Sequence, residues 1–461
     1  MPLRKAPTQP LRPAVPTRPD LVLRGAALAG REGEGEDRFD LIIQGGRLAG
    51  VGLGADGGIG TAAASGTGVR ATAGAEAGSG FREYQLEGRL VLPALVDLHH
   101  HLDKAYSLPD AGVADDLPSA IAAAGRYPAR VGRERLVERG LRLLGQAVSS
   151  GVGILRTHVN VGGPYGLRGL EVALELRERV GDRLAVQVVA MASGGVVPGS
   201  ADWALMEEAA RLGCDALGGS VGVRSDPAPL LDGLFALAVQ YDLPLDLHVD
   251  EHDQPQAPGL REIIPRTIAS GYRGRVTASH CCALGVVPEG ERRKLIGGLV
   301  EAGIAVVVNP LTNLFLQGRG TGDVPGPRGI APVRALLRAG VQVACASDNV
   351  QDPYLPYGNA DPLLAALVLG VAGHLTTAAE RDALLGMVTD RAARVAGVAD
   401  YGLSPGRPAD LVVLDVQPPD HPVASLPRRW LVVHGGRIQV TAVDQAGRAG
   451  ESADKDPALK S

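Results

Sequence analysis

Two hydrophobic rhythms alternate between residues 90 and 400. Continuous apolar runs rich in Val, Leu, Ile and Ala recur at 90–101, 151–160, 183–192, 214–222, 244–251, 274–282, 304–311 and 341–349. Runs without polar alternation predict strands buried on both faces, as in a parallel sheet. Segments between them, such as RERLVERGLRLLGQAVSS and PLLDGLFALAVQYD, place apolar residues three and four apart and predict amphipathic helices. Parallel neighbours need long crossovers, which helices supply. Eight strands alternating with helices therefore predict an α/β fold, a (β/α)8 TIM-type barrel over about residues 90–400.

The flanks have a different pattern. LVLRGAAL and FDLIIQGGRL lie before the barrel, LSPGRPADLVVLDV and RRWLVVHGGRIQV after it, all short strand-like runs with glycine turns. The tripeptide GGR occurs in both flanks, at 45–47 and 435–437. The reading is a small β-sandwich domain built from both chain flanks, from residues 20–89 and 401–445. Residues 1–19 and 446–461 read as flexible tails. The stretch 53–80 is dominated by Gly, Ala, Ser and Thr, with too little large apolar surface to offset its chain entropy, and reads as a mobile insertion.

Composition narrows the class. At 461 residues the chain accommodates one barrel of about 250 residues and a smaller domain. Hydrophobic residues at 45% and charged residues at 21% are ordinary globular usage, which excludes a disordered or fibrous chain. The net charge, 46 − 51 = −5, offers no basic face, so nucleic acid is not an expected partner. No apolar window approaches 18 residues, so no membrane span is expected. Cys214, Cys281, Cys282 and Cys345 form no C-x-x-C pair and no disulfide framework, and the Pro-rich start lacks the apolar run of a signal peptide. These features predict a cytoplasmic protein.

In a barrel, chemistry gathers at the carboxyl ends of the strands. Six of the ten histidines fall there: His99, His100 and His101 on the first strand, His158 on the second, His248 on the fifth and His280 on the sixth. His99 and His101 are two apart on a strand, so both imidazoles face one side while His100 faces the other. Two imidazoles on one strand make half a metal site; His248 and Asp348 complete three nitrogens and one oxygen, with a position open for water. In that arrangement Asp348 can take the proton of the water, His280 can hydrogen-bond the water or a developing oxyanion, and Glu251 can move a proton to a leaving nitrogen. The fourth-strand run CDALGGSVG holds none of the five lysines, so no carboxylated lysine bridges a second metal and one divalent ion is expected. The H-x-E and P-C-x-x-C motifs of cytidine-type zinc deaminases do not occur.

With VDLHHHLDK, RTHVNV, LPLDLHVDE, VTASHCCA, VNPLTNLFLQGRG and ASDNVQDPY in this order, the chain resembles the amidohydrolase superfamily, in particular its cytosine deaminase-like branch, from about residue 85 to 440. The resemblance implies a zinc or iron ion on His99, His101, His248 and Asp348, a proton shuttle at Glu251 and a water-positioning His280. It implies hydrolysis of a C–N bond in a small N-heterocyclic substrate, by deamination or by cleavage of a cyclic amide or N-substituted amine. It places His158 behind the ligands. Cytosine deaminase proper carries a Gln at the end of strand 3, where VVAMASGGV puts Ser193. A hydroxyl does not replace a bidentate amide, so the expected heterocycle differs from cytosine. Gln317 is expected to donate to a ring substituent, and Asp352 and Tyr354 to line the pocket, Tyr354 with a stacking face. Lys104 either pairs with Asp103 or meets an anionic substrate group. Exposed barrel helices leave surface for a homo-oligomer.

Overall fold

A computed structural model describes residues 20–29, 37–53, 81–128, 130–223, 226–319 and 326–441. The tails expected at 1–19 and 446–461, and residues 54–80 of the expected insertion, lie outside the described residues.

Eight consecutive strands form one parallel sheet. They are numbered here after five N-terminal strands, β1 (Asp20–Leu28), β2 (Phe39–Gln44), β3 (Arg47–Leu53), β4 (Phe81–Gln85) and β5 (Leu90–Pro93). The eight are β6 (Leu95–His100), β7 (Val152–Val161), β8 (Ala185–Ala192), β9 (Ala216–Val221), β10 (Leu245–Val249), β11 (Val276–His280), β12 (Ala305–Val308) and β13 (Val343–Cys345). β6, β7, β10 and β11 are buried at every residue, as their unbroken apolar pattern requires. The sheet closes where the Asp348 N–H donates to the His99 carbonyl at 2.9 Å. A side-chain clasp reinforces the seam: Asp97 Oδ1 accepts the Ser347 N–H at 3.1 Å, and Asp97 Oδ2 meets Ser347 Oγ and His100 Nε2. His100, which faces away from its two neighbours, thus serves closure.

The helices cover the outside. Arg133–Ser149 buries Leu136, Gly140, Leu143, Leu144 and Ala147, an apolar stripe at helical spacing. Gly140 allows close approach to the next helix, Arg168–Val180, since a Cβ there would lie 2.3 Å from Leu176 Cδ1.

The flanks pair with each other. β14 (Leu411–Leu414), β15 (Arg429–His434) and β16 (Arg437–Thr441) join the N-terminal strands in a mixed sheet ordered β16-β15-β14-β5-β1-β2-β3, with β4 also on β1. Leu21, Leu23, Leu41, Ile43, Val91, Leu411, Val413 and Leu431 form its core. Both GGR tripeptides are hairpin turns with two left-handed glycines, at φ 57° and 85° for Gly45 and Gly46 and 53° and 74° for Gly435 and Gly436. One difference from the sequence reading concerns the run 90–101. Its first part, β5, pairs with β1 and β14, and only β6 belongs to the barrel. Ala94, bonded to the Asp410 carbonyl, is the hand-over point. An apolar run carries no mark of a change of partner.

Candidate metal centre

The strand ends bring the expected ligands together. His99 Nε2 lies 3.1 Å from His248 Nε2, His248 Nε2 lies 3.4 Å from His101 Nε2, and Asp348 Oδ1 lies 3.8 and 3.5 Å from the Nε2 atoms of His99 and His101. Two donors at 2.0–2.1 Å from one tetrahedral ion would sit roughly 3.3 Å apart, which these separations bracket. The strand pleat puts His99 and His101 on the same side, and the parallel register sets His248 beside Ser279 on the next strand. At the barrel seam, Asp348 adopts a left-handed conformation with φ 63°; Asp250 and His280, at φ 47° and 70°, do likewise at the ends of β10 and β11. Each such residue costs about 1–2 kcal/mol, offset by the packing that holds it.

Protonation follows from burial and hydrogen bonding. Burial first, then the crowding of histidines that cannot all be charged, with Lys104 adding to it at His101 and His248, lowers His99, His101 and His248 well below the usual histidine range, so their imidazoles are neutral. His101 Nδ1 donates to the His158 carbonyl at 3.0 Å, and His99 Nδ1 lies 3.0 Å from Ser279 Oγ. The protons therefore sit on Nδ1 and the Nε2 lone pairs face the convergence. Asp348 is fully buried; neither of its carboxylate oxygens receives a hydrogen bond of normal geometry, and the nearby Thr312 hydroxyl only partly offsets the effect of burial. Burial first, then the nearby Glu251, pushes its carboxyl well above the usual carboxylate range. A buried carboxylate with no donor is costly unless it is paired or coordinates a metal. The donor set and the orphaned oxygens fit a divalent cation. His158 also approaches: a ligand atom of His158 lies within 4.8 Å of ones on His99 and His248, and His280 groups in the same way with His99 and Asp348.

Beside this cluster, Glu251 Oε1 stands 3.6 Å from His280 Nδ1, and both residues are buried. Burial pushes Glu251 up to about 8, so the carboxyl holds its proton at neutral pH. Burial lowers His280 to about 3. Asn313 Nδ2 lies 2.8 Å from His280 Nδ1 and Asn309 Nδ2 lies 3.3 Å from its Nε2, so amides hold both nitrogens of the neutral ring. Below the ligands, Asp246 Oδ2 accepts from Arg156 Nη1 at 2.7 Å. Burial would raise Asp246, but His158 and Arg156 outweigh it and hold the carboxyl below its usual range.

The remaining expected residues surround this centre with their own partners. Ser193 is buried and its Oγ accepts from Asn160 Nδ2 at 3.3 Å. Gln317 Nε2 donates to the Glu251 carbonyl at 3.2 Å, tying the strand-end loop that carries Glu251. Asp352 accepts from the Tyr354 and Leu355 N–H groups and from Asn349 Nδ2, so its hydrogen bonds stay within its own loop. Tyr354 is half-buried against a patch containing Leu117, Ala120 and Leu316. Lys104 Nζ pairs with both Asp103 oxygens at 3.0 and 3.1 Å and lies 3.4 Å from His101 Nδ1. Sequence reasoning did not single out Asn160, Asn309, Asn313, Ser279, Asp246 or Arg156. The i, i+4 spacing of Asn309 and Asn313 in NPLTN was the one local signal. Among the described residues, no helix is long and apolar enough to cross a membrane.

Known proteins resemble this chain over most of its length. The family model described as "Amidohydrolase family" matches residues 120–440. N-isopropylammelide isopropyl amidohydrolase of Pseudomonas sp. (strain ADP) is 29% identical over 443 residues, covering 91% of this chain and 97% of that protein. A pterin deaminase of Rhizobium rhizogenes is 33% identical over 341 residues, covering 71% of this chain and 75% of that protein. The crystal structure of 5-methylcytosine deaminase from Klebsiella pneumoniae liganded with 5-fluorocytosine superposes with a TM-score of 0.80 at 28% identity, covering 91% of this chain and 97% of that one.

Proposed function

Since this chain belongs to the amidohydrolase family and is a hydrolase of C–N bonds, we propose that it deaminates an amino-substituted N-heterocycle with one divalent metal ion, zinc or iron. The observation that carries the reading is the convergence of His99, His101, His248 and the donor-less Asp348 beside the Glu251–His280 pair. When bound by these four residues, the ion supplies Lewis acidity that brings the pKa of a water to about 7.

Asp348 accepts the proton released as the water oxygen attacks the amino-bearing ring carbon. His280 donates to the oxygen as it gains charge, through the one protonated nitrogen of its ring, and its pKa of about 3 keeps the ring a neutral donor throughout. Glu251, protonated at neutral pH, delivers its proton to the departing nitrogen. The C–O bond forms, the C–N bond breaks, and ammonia leaves. The proton taken from water re-protonates the carboxyl pair for the next cycle. Ser193 and Asn160, at the ends of β8 and β7, supply a hydroxyl and an amide to the ring edge.

The test is ammonia release by zinc- or iron-loaded protein across aminopyrimidines, aminotriazines, pterins and aminopurines, with metal content measured on the same sample. About one metal per chain and ammonia from one ring class is expected, and Asp348→Asn should abolish turnover while retaining the fold. Full activity in that variant overturns the site. The full-length likeness to an isopropyl amidohydrolase favours one second reading, hydrolysis of an N-substituted amine. Release of an amine in place of ammonia selects it.

A further inference from the structure

Beneath the ligands lies a buried polar chain that the proposed reaction does not use. Ser279 Oγ is 3.0 Å from His99 Nδ1 and 3.3 Å from Asp246 Oδ1. Asp246 sits two residues before His248 on the same side of β10, and its other oxygen accepts from Arg156 Nη1 at 2.7 Å. His158 stacks on His99, ring centres 4.0 Å apart and planes 28° from parallel, with its Nε2 3.1 Å from Asp246 Oδ1. Asp246, Ser279 and His158 are fully enclosed and Arg156 nearly so. A buried ion pair in such a place is weak evidence for stability, since well-packed apolar residues often do as well.

The proton positions give the chain a direction. His99 turns Nε2 toward His248 and Asp348, so Nδ1 carries the hydrogen and donates to Ser279 Oγ. The serine hydroxyl then donates onward to Asp246 Oδ1, and Arg156 secures the far side of that carboxylate. An imidazole whose N–H is held by an anion, directly or through a hydroxyl, is a stronger donor at its other nitrogen and is fixed in orientation. His158 is the flat wall that keeps the His99 ring in the plane the hydroxyl needs.

We propose that Ser279 is a positioning residue that couples the Asp246–Arg156 pair to His99 and so sets how tightly the four-ligand site holds its metal. This rests on the metal-site reading above. No contact with substrate is required of it.

The experiment is Zn2+ competition against a chromophoric chelator, with the whole chain as wild type, Ser279→Ala, Ser279→Thr, Asp246→Asn and the Ser279→Ala/Asp246→Asn double variant. Circular dichroism on each sample reports the fold. Losing a hydrogen-bond partner of a ligating histidine typically costs 10–100-fold in metal affinity, the loss expected for Ser279→Ala. Ser279→Thr, which keeps the hydroxyl, should recover most of it. If the two groups act in one chain, the double variant should lose little more than the worse single. Affinity of folded Ser279→Ala within about threefold of wild type overturns the proposal, as do fully multiplicative losses in the double variant. The readout is metal binding, so a wild type that binds zinc but turns over no heterocycle counts against the proposed reaction alone. A wild type that binds neither zinc nor iron overturns both.

Discussion

Glu251 is enclosed by the barrel mouth with a neutral histidine 3.6 Å away, and burial pushes it up to about 8. In the role proposed for it, proton donor to the leaving nitrogen, it must be protonated, so kcat/KM should fall as pH rises through about 8. A pH–rate profile checks this. Glu251→Gln, which keeps size and polarity but has no proton to give, should lower kcat by about 10²–10⁴-fold with metal content unchanged. Unreduced turnover in that variant would remove Glu251 from the mechanism. The histidines work in the opposite sense. His280 is lowered to about 3 and the ligand histidines are also lowered, so the unfolded chain binds more protons than the folded one below about 6.5. Their contribution is fully present above about 6.5 and is lost as pH falls toward 3. The buried carboxyls Glu251, Asp348 and Asp352, raised by burial, hold protons in the folded chain that the unfolded chain releases above about 4, and offset the histidines there; the melting temperature of metal-free protein should fall steeply only as pH drops from about 4 toward 3.

Among the elements, the two GGR hairpins make a separable prediction. A Cβ on Gly436 would lie 2.7 Å from Gly46 Cα, and its φ of 74° already disfavours any side chain. The two turns touch backbone to backbone, one from each flank of the chain. Gly436→Ala should destabilise the protein by about 2 kcal/mol or more, from left-handed strain and a contact that only backbone movement relieves. Zinc stoichiometry should stay the same, because no ligand comes from this sheet. Denaturant unfolding with metal analysis of the same variant measures both, and an unchanged midpoint would show that the flanks do not depend on this contact.

For the molecule as a whole, the centre is where metal binding and folding meet. Asp348 closes the barrel through its N–H to His99 and offers a donor-less carboxylate to the same cluster. An ion bound only by the folded state adds about 2.7 kcal/mol at 100 times its Kd. Chelator treatment should lower the melting temperature by several degrees and zinc should restore it. Equal melting temperatures with and without chelator would mean that no ion links these strands.

The alternation of buried strands with amphipathic helices, and with it the barrel, was legible in the local pattern of apolar positions. The sequence also singled out the candidate ligands, because a strand repeats every two residues and His99 and His101 must share a face wherever the strand lies. His248, His280 and Asp348 were legible because each ends an apolar run, and strand ends are where a barrel opens. Tertiary structure alone decided which partners those residues meet. The split at Ala94 was invisible because β5 and β6 are equally apolar and differ only in the sheets they join. Ser279, Asp246 and Arg156 each stand one or two residues before a strand-end histidine, but no local pattern joins them: they lie 33 and 90 residues apart along the chain and meet only through parallel register. Gln317 and Asp352 read as pocket residues from their loops, yet their hydrogen bonds go to the Glu251 carbonyl and to the Asp352 loop itself. Local periodicity dictates which way a side chain faces; what it faces is settled by contacts between segments far apart in sequence, through closure of the barrel and exclusion of water.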